Sequence, residues 1–270
     1  MKQLKGKTAV VTGAGSGLGR AMALAFAREG MKLALADVDE KGLEETASQV
    51  KGFSMRVDVS KEAEVRAFCD RIEDPFLVCN NAGVSPLGAV WENTAADWQW
   101  ILGVNLWGVI HGVRAFAPRL IEKNAGHIVN TASVAGLISP PGSGAYNVTK
   151  HAVVALSESL YHDLRERNSQ VGVSVLCPAY VPTGISDSER NRPAGLPASP
   201  LSRETEAKKA LLKKAVSSGR LSADDVAAAV VEAVKQDRFY ILTHPRIKGA
   251  IRARMEDILE ERAPRDPLKL

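Results

Sequence analysis

Tyr146 and Lys150 stand four residues apart in a stretch of helical patterning, so on a helix they share one face. A free phenol ionises near pH ~10, too high for a general base at neutral pH. An ammonium beside it favours the phenolate, and so does any second positive charge brought close. Lowering the phenol by roughly three pH units corresponds to ~4 kcal/mol of differential stabilisation, a magnitude that a partly desolvated cleft can supply. Such a pair can take the proton of an alcohol and return it to the oxygen of a carbonyl. Ser133 precedes Tyr146 by 13 residues, just past the strand-like run His127 to Thr131, where its hydroxyl can hold a substrate oxygen near the phenol. Asn105 interrupts an otherwise apolar helical stripe, and a buried amide there needs partners. Alone, Tyr-x-x-x-Lys also arises on ordinary amphipathic helices, with the Tyr half-buried and the Lys solvated; the residues upstream decide between the two readings.

Those upstream residues are Thr12-Gly-Ala-Gly-Ser-Gly-Leu-Gly19, set between an apolar run and a helical pattern. Glycines at 13, 17 and 19 allow a tight turn and the close approach of a pyrophosphate to the backbone, where the N-terminus of the following helix offers N–H groups and a positive dipole end. The backbone of Gly13, Ser16, Gly17, Leu18 and Gly19 is therefore assigned to a dinucleotide. Asp37 follows 18 residues after Gly19, at the end of the next apolar run. A carboxylate there accepts the ribose hydroxyls of the adenosine half and repels a 2′-phosphate, and Ser16 brings no cation to offset that repulsion, so NAD is expected over NADP. The plainer alternative for Asp37 is a cap on the next helix.

The elements that must carry these residues alternate. Strands are expected at Thr8–Thr12, Leu33–Ala36, Met55–Asp58, Phe76–Cys79, His127–Thr131, Val173–Cys177 and Phe239–Leu242, separated by helical patterns. Runs apolar on both faces argue for a doubly wound parallel sheet of about seven strands with helices on both faces, an α/β Rossmann fold in a single domain. Long helices are expected over 97–123 and 145–168. The stretch 182–219, rich in Ser, Pro, Arg and Glu, breaks the rhythm and is expected to be a lid beside the site rather than a merely disordered insertion.

With these residues in order, the sequence resembles the classical short-chain dehydrogenase/reductase family over nearly its whole length. The resemblance rests on TGxxxGxG at Thr12–Gly19, Asn-Asn-Ala-Gly at Asn80–Gly83, Asn105, Ser133 and Tyr-x-x-x-Lys at Tyr146–Lys150. It implies catalysis by Asn105, Ser133, Tyr146 and Lys150, with Lys150 also holding the nicotinamide ribose and Asn105 linked to it through a water. It implies that Asp58 and the backbone of Val59 face the adenine, and that Asn80, Asn81, Ala82 and Gly83 support the sheet and line the cofactor cleft. Pro178 to Thr183 resembles the segment that embraces the nicotinamide, with Pro178, Val181 and Thr183 as contacts; Ala179 stands where the family has glycine. Family members form dimers and tetramers through two long helices, so a homotetramer is expected, with a dimer second.

The remaining composition sets limits. The chain has 270 residues, a net charge of +4 and 45% hydrophobic residues, which suits an ordinary globular protein. No apolar run reaches membrane-spanning length, no block of basic residues suggests nucleic acid, and the polar start shows no secretory signal, so the expected location is the cytoplasm. Cys69, Cys79 and Cys177 are expected to be buried thiols, and no metal-ligand spacing is present. For substrate, Val134 to Ile138, Pro140, Pro141 and lid residues Ile185, Leu196, Pro197, Leu211 and Leu212 are expected to form an apolar pocket, with Arg190 and Arg192 in solvent rather than meeting an anionic group. A medium-sized hydrophobic or aromatic secondary alcohol and its ketone are favoured. The competing readings are a non-catalytic NAD sensor or scaffold, an NADP-dependent 3-oxoacyl or ketone reductase, and a dehydratase or epimerase using bound NAD transiently.

Overall fold

The alternation of short apolar runs and helical patterns folds as it predicts. A computed structural model describes residues 2–197 and 202–269. Seven parallel strands run in the order β3-β2-β1-β4-β5-β6-β7. They are β1 (Thr8–Thr12), β2 (Lys32–Asp37), β3 (Phe53–Arg56), β4 (Pro75–Asn80), β5 (His127–Thr131), β6 (Gly172–Leu176) and β7 (Tyr240–Ile241). Side chains alternate across the sheet, so each strand feeds two cores. Ala9, Val11, Leu33, Leu35 and Leu77 meet α1 (Gly17–Arg28) and α8 (Ala223–Lys235). Val10, Ala34, Ala36, Val78 and Ile128 pack on the other side against α3 (Glu62–Asp70) and α5 (Gly108–Glu122). Both faces are thereby dry, which is why the strands read as continuous apolar runs. The remaining helices are α2 (Glu40–Val50), α4 (Ala95–Leu102), α6 (Gly144–Glu166), α7 (Arg203–Ser217) and α9 (Ile247–Leu259). The strand order reverses direction between β1 and β4, and a crevice opens beyond the carboxyl ends of these strands.

Three expectations change. The third strand stops at Arg56, level with the end of β2, because Asp58 turns the chain: its carboxylate accepts the Ser60 N–H at 3.0 Å. The expected helix 97–123 is divided into α4, a π-helical turn at Gly103–Trp107, and α5. The widened turn holds Asn105, which is fully buried. The stretch 182–219 is not irregular throughout, for it contains a kinked 3₁₀ segment, Gly184–Asn191, and the whole of α7. Residues 198–201 of that stretch lie outside the described residues. No helix among the described residues is long and apolar enough to cross a membrane.

The end of the sheet opposite the crevice contains a fully buried histidine, His127, at the start of β5. Ser174 Oγ donates to Arg238 O at 2.6 Å, so it accepts from His127 Nε2 at 2.7 Å. The other ring nitrogen, Nδ1, then accepts from Lys2 Nζ at 2.9 Å, and the imidazole is neutral. Burial pushes its pKa from 6.5 down to about 4. The unfolded chain takes up a proton that the folded protein refuses, so stability falls as pH drops through that interval, by up to about 3 kcal/mol. Asp237, whose carboxylate lies 3.3 Å from His127 Nδ1 and 2.9 Å from Lys2 Nζ, is held below its ordinary 3.8 and adds its own loss only at lower pH. Urea midpoints measured from pH 7 to 4 should decline in the wild type and flatten in His127→Gln. An equal slope in the variant would mean that other groups carry the acid sensitivity.

Candidate active site

The crevice is built from the end of β1 outward. Thr12 Oγ1 accepts the N–H groups of Asn81 at 2.9 Å and Ala82 at 3.2 Å, which ties the end of β1 to the chain leaving β4. Gly13 has φ +66°, and a Cβ there would lie 2.8 Å from Ala82 Cα. At Gly19 a Cβ would fall 1.9 Å from Gly13 O, so the first turn of α1 can close on the loop only as glycine. Ser16 occupies the N-cap of α1 but its side chain caps nothing, leaving the first N–H groups of that helix facing the crevice. Arg20 reaches back from α1 to Gly15 O and to Gly42 O at 3.1 Å, fastening the turn to α2. A bare, rigid, glycine-lined cradle at a helix start fits a dinucleotide's diphosphate.

Asp37 ends β2 beside this turn. Its carboxylate accepts the Gly15 N–H at 2.8 Å and the Asp39 N–H at 3.0 Å, which orients it while it still lines the crevice. The cap on α2 belongs to Asp39, whose side chain accepts the Gly42 N–H, so Asp37 is not that helix's cap.

At the far end of the same crevice α6 presents Tyr146 and Lys150 on one face. Lys150 Nζ donates to Thr131 O at 2.9 Å and stands 5.6 Å from the centre of the Tyr146 ring. Burial brings its pKa down from 10.5 to about 8. The Tyr146 phenol is pushed above its ordinary value by burial, against the opposing hydrogen bond of Ser133. Among the protein's own groups, burial outweighs the Ser133 hydrogen bond. Ser133 sits at the end of β5, where Oγ accepts the Ala135 N–H at 3.1 Å and lies 3.4 Å from Pro178 O.

Asn105 is near this centre but not in the crevice. Its amide grips the Val84 backbone on both sides, accepting from N at 2.8 Å and donating to O at 2.9 Å. A methyl group on Gly83 would lie 3.5 Å from Asn105 Oδ1 and 3.6 Å from Lys150 Nζ, so both side chains border the same glycine. Of the residues assigned to the cofactor, Gly13, Ser16, Gly17, Leu18, Asp37, Asp58, Val59, Asn81, Ala82, Gly83, Tyr146, Lys150, Pro178, Val181 and Thr183 all line the crevice. Gly19 does not, because its part is the close approach described above, and neither does Asn80, which is buried in the sheet and donates to Asn130 Oδ1 at 2.9 Å.

The apolar lining differs from expectation. Ile185 faces the crevice, whereas Ala135 and Ile138 are core residues and Leu211 is 67% exposed. Val84, Trp100, Val104, Pro193 and Val216 supply the lining instead. Trp100, five residues before Asn105, falls off its stripe on an ordinary helix, so neither Trp100 nor Val216 carried a usable signal. Arg192 is not in solvent either. It bonds Asp97 at 2.7 Å and Glu189 at 2.6 Å and lies 4.4 Å over the Trp100 ring, with only 8% of its side chain exposed. Together with Ser188 Oγ, which accepts the Ser85 N–H at 2.9 Å, it fastens the Gly184–Asn191 segment across the crevice mouth.

A parallel sheet with this strand order, a glycine turn at its switch point and a Ser–Tyr–Lys cluster at the other end of the crevice define a nucleotide-dependent oxidoreductase of Rossmann type. The family model for short chain dehydrogenases matches residues 7–194, and the chain belongs to that family. It is 34% identical to a CLA biosynthesis dehydrogenase/reductase of Lactiplantibacillus plantarum, over 98% of this chain and 97% of that protein. It is likewise 34% identical to a 1-deoxy-11-beta-hydroxypentalenate dehydrogenase of Streptomyces exfoliatus, over 94% and 89%. The crystal structure of a short chain dehydrogenase/reductase from Burkholderia phymatum in complex with NAD superposes with a TM-score of 0.97 at 52% identity, covering 100% of both chains.

Proposed function

We propose that this protein is an NAD-dependent dehydrogenase that interconverts a medium-sized hydrophobic or aromatic secondary alcohol and its ketone. The observation that carries the reading is one continuous crevice with Asp37 at one end and Ser133, Tyr146 and Lys150 at the other. The NAD-bound relative at 52% identity supports the choice of cofactor. When bound, the nicotinamide supplies the hydride acceptor or donor. The protein's residues do the rest. Ser133 holds the substrate oxygen, Tyr146 takes the hydroxyl proton in oxidation and returns it in reduction, and Lys150 holds the nicotinamide ribose beside the phenol. Asn105 keeps Val84 and the adjoining Gly83 in position. Asp58 and Val59 border the adenine, and the 178–183 segment borders the nicotinamide.

The substrate class follows from the lining. Arg192 is neutralised by Asp97 and Glu189, Tyr146 belongs to a cluster with Val84, Trp100, Val104 and Leu196, and Ile185 and Val216 also line the crevice, which supports an uncharged apolar molecule. The 182–219 stretch acts as its lid on one dehydrogenase domain. The protein works in the cytoplasm as a homotetramer, with a dimer second; half-exposed Trp107 and Val148, on the π-turn and on α6, support an assembly through the long helices.

A panel of hydrophobic secondary alcohols, supplied with NAD and NADP in parallel, tests the reading. Reduced nicotinamide should form with NAD for one alcohol class. Formation with NADP alone would reverse the role given to Asp37. No turnover from a protein that still binds NAD would favour a sensor.

A further inference from the structure

Four charged side chains line the crevice among the described residues: Asp37, Asp58, Lys150 and Arg190. A dinucleotide brings a diphosphate with two negative charges to the glycine turn, and the two carboxylates make that end more negative still. Lys150 is committed at the opposite end, on Thr131 O. The counter-charge therefore has to come from Arg190 or from the backbone alone.

Arg190 is arranged for that task. Its Nη1 donates to Gly184 O at 2.7 Å and Asp187 O at 3.0 Å, both neutral acceptors within its own segment. Its Nη2 points across the crevice to Ser16 Oγ, at 3.4 Å. The segment lies directly on the turn, since a Cβ on Gly17 would come 3.2 Å from Thr183. Among the described residues Arg190 forms no ion pair, whereas Arg192, two positions on, has two carboxylate partners. The guanidinium is thus aimed by carbonyls, and Arg190 is exposed at the crevice. A planar fork of N–H donors is the group best suited to two adjacent phosphate oxygens.

We propose that Arg190 binds the cofactor's diphosphate from the lid side, opposite the N–H groups of α1, and so closes the glycine cradle into a two-sided clamp. This rests on the cofactor lying along the turn as proposed above. Its test is binding rather than turnover. Dissociation constants for NADH, ADP-ribose and adenosine should be measured for the wild type, Arg190→Met and Arg190→Lys, at low and high salt. Arg190→Met should weaken NADH and ADP-ribose by about 10- to 100-fold. Adenosine, which has no phosphate, should change by less than about twofold. Arg190→Lys should recover part of the loss, and the salt dependence of NADH binding should become shallower in the Met variant. An unchanged NADH affinity and salt slope in Arg190→Met would overturn the proposal. Equal losses for adenosine would overturn it too, by showing that Arg190 only shapes its own segment. A wild-type protein that binds no NADH would remove the cofactor reading itself, whereas wild-type binding that Arg190→Met leaves intact removes this proposal alone.

Discussion

Replacing Tyr146 with Phe is expected to lower kcat by about 10³-fold or more while leaving the NADH dissociation constant within about threefold. Phe keeps the ring and its packing on Lys150 but cannot hold or move a proton. Burial drives the phenol upward, and Ser133 opposes that only in part. Alcohol oxidation needs the ionised phenol and should accelerate as pH rises. Ketone reduction needs the protonated phenol and should be sustained toward neutral pH and below. Both limbs should vanish in Tyr146→Phe. A variant retaining more than a few per cent of kcat, with its pH profile intact, would show that the proton takes another route.

Asp37→Ala should shift the ratio of kcat/KM for NAD over NADP by about 100-fold toward NADP. Two effects combine: the carboxylate no longer accepts the ribose hydroxyls, and it no longer repels a 2′-phosphate. Its bonds to the Gly15 and Asp39 N–H groups are lost as well, so both cofactors should bind somewhat less well. The ratio cancels that shared loss. Asp37→Asn separates the two effects, because the amide oxygen can still accept from Gly15 while the charge is gone. An unchanged ratio in both variants would reduce Asp37 to a brace for the glycine turn.

The strands were legible because a parallel sheet covered on both faces writes each one as an unbroken apolar run, as in Leu33–Ala36 and His127–Thr131. The turn at Thr12–Gly19 was legible because close approach excludes side chains, and that exclusion leaves glycines at fixed spacing. What escaped notice depends on contacts distant in sequence. Nothing around Val216 marks it as part of the crevice, since α7 reaches the site only by folding over it. Arg190 and Arg192 look alike in the chain, and only the positions of Asp97 and Ser16 tell them apart. The π-turn at Asn105 was hidden because a widened turn keeps the apolar stripe of an ordinary helix. The direction of the Tyr146 shift depended on how much water burial removes, a quantity that spacing alone does not contain.

The short segment beneath the lid divides its labour by position. Ser188 and Arg192 fasten the segment to Ser85 and to Asp97, and of the two only Ser188 also lines the crevice. Ile185, Asn191 and Pro193 line the crevice as well. Positions 185, 191 and 193 are thus distinct from the two anchors, so a lineage can change the lining there without first loosening its scaffold. Directed evolution restricted to positions 185, 191 and 193 is the economical route to a new substrate range.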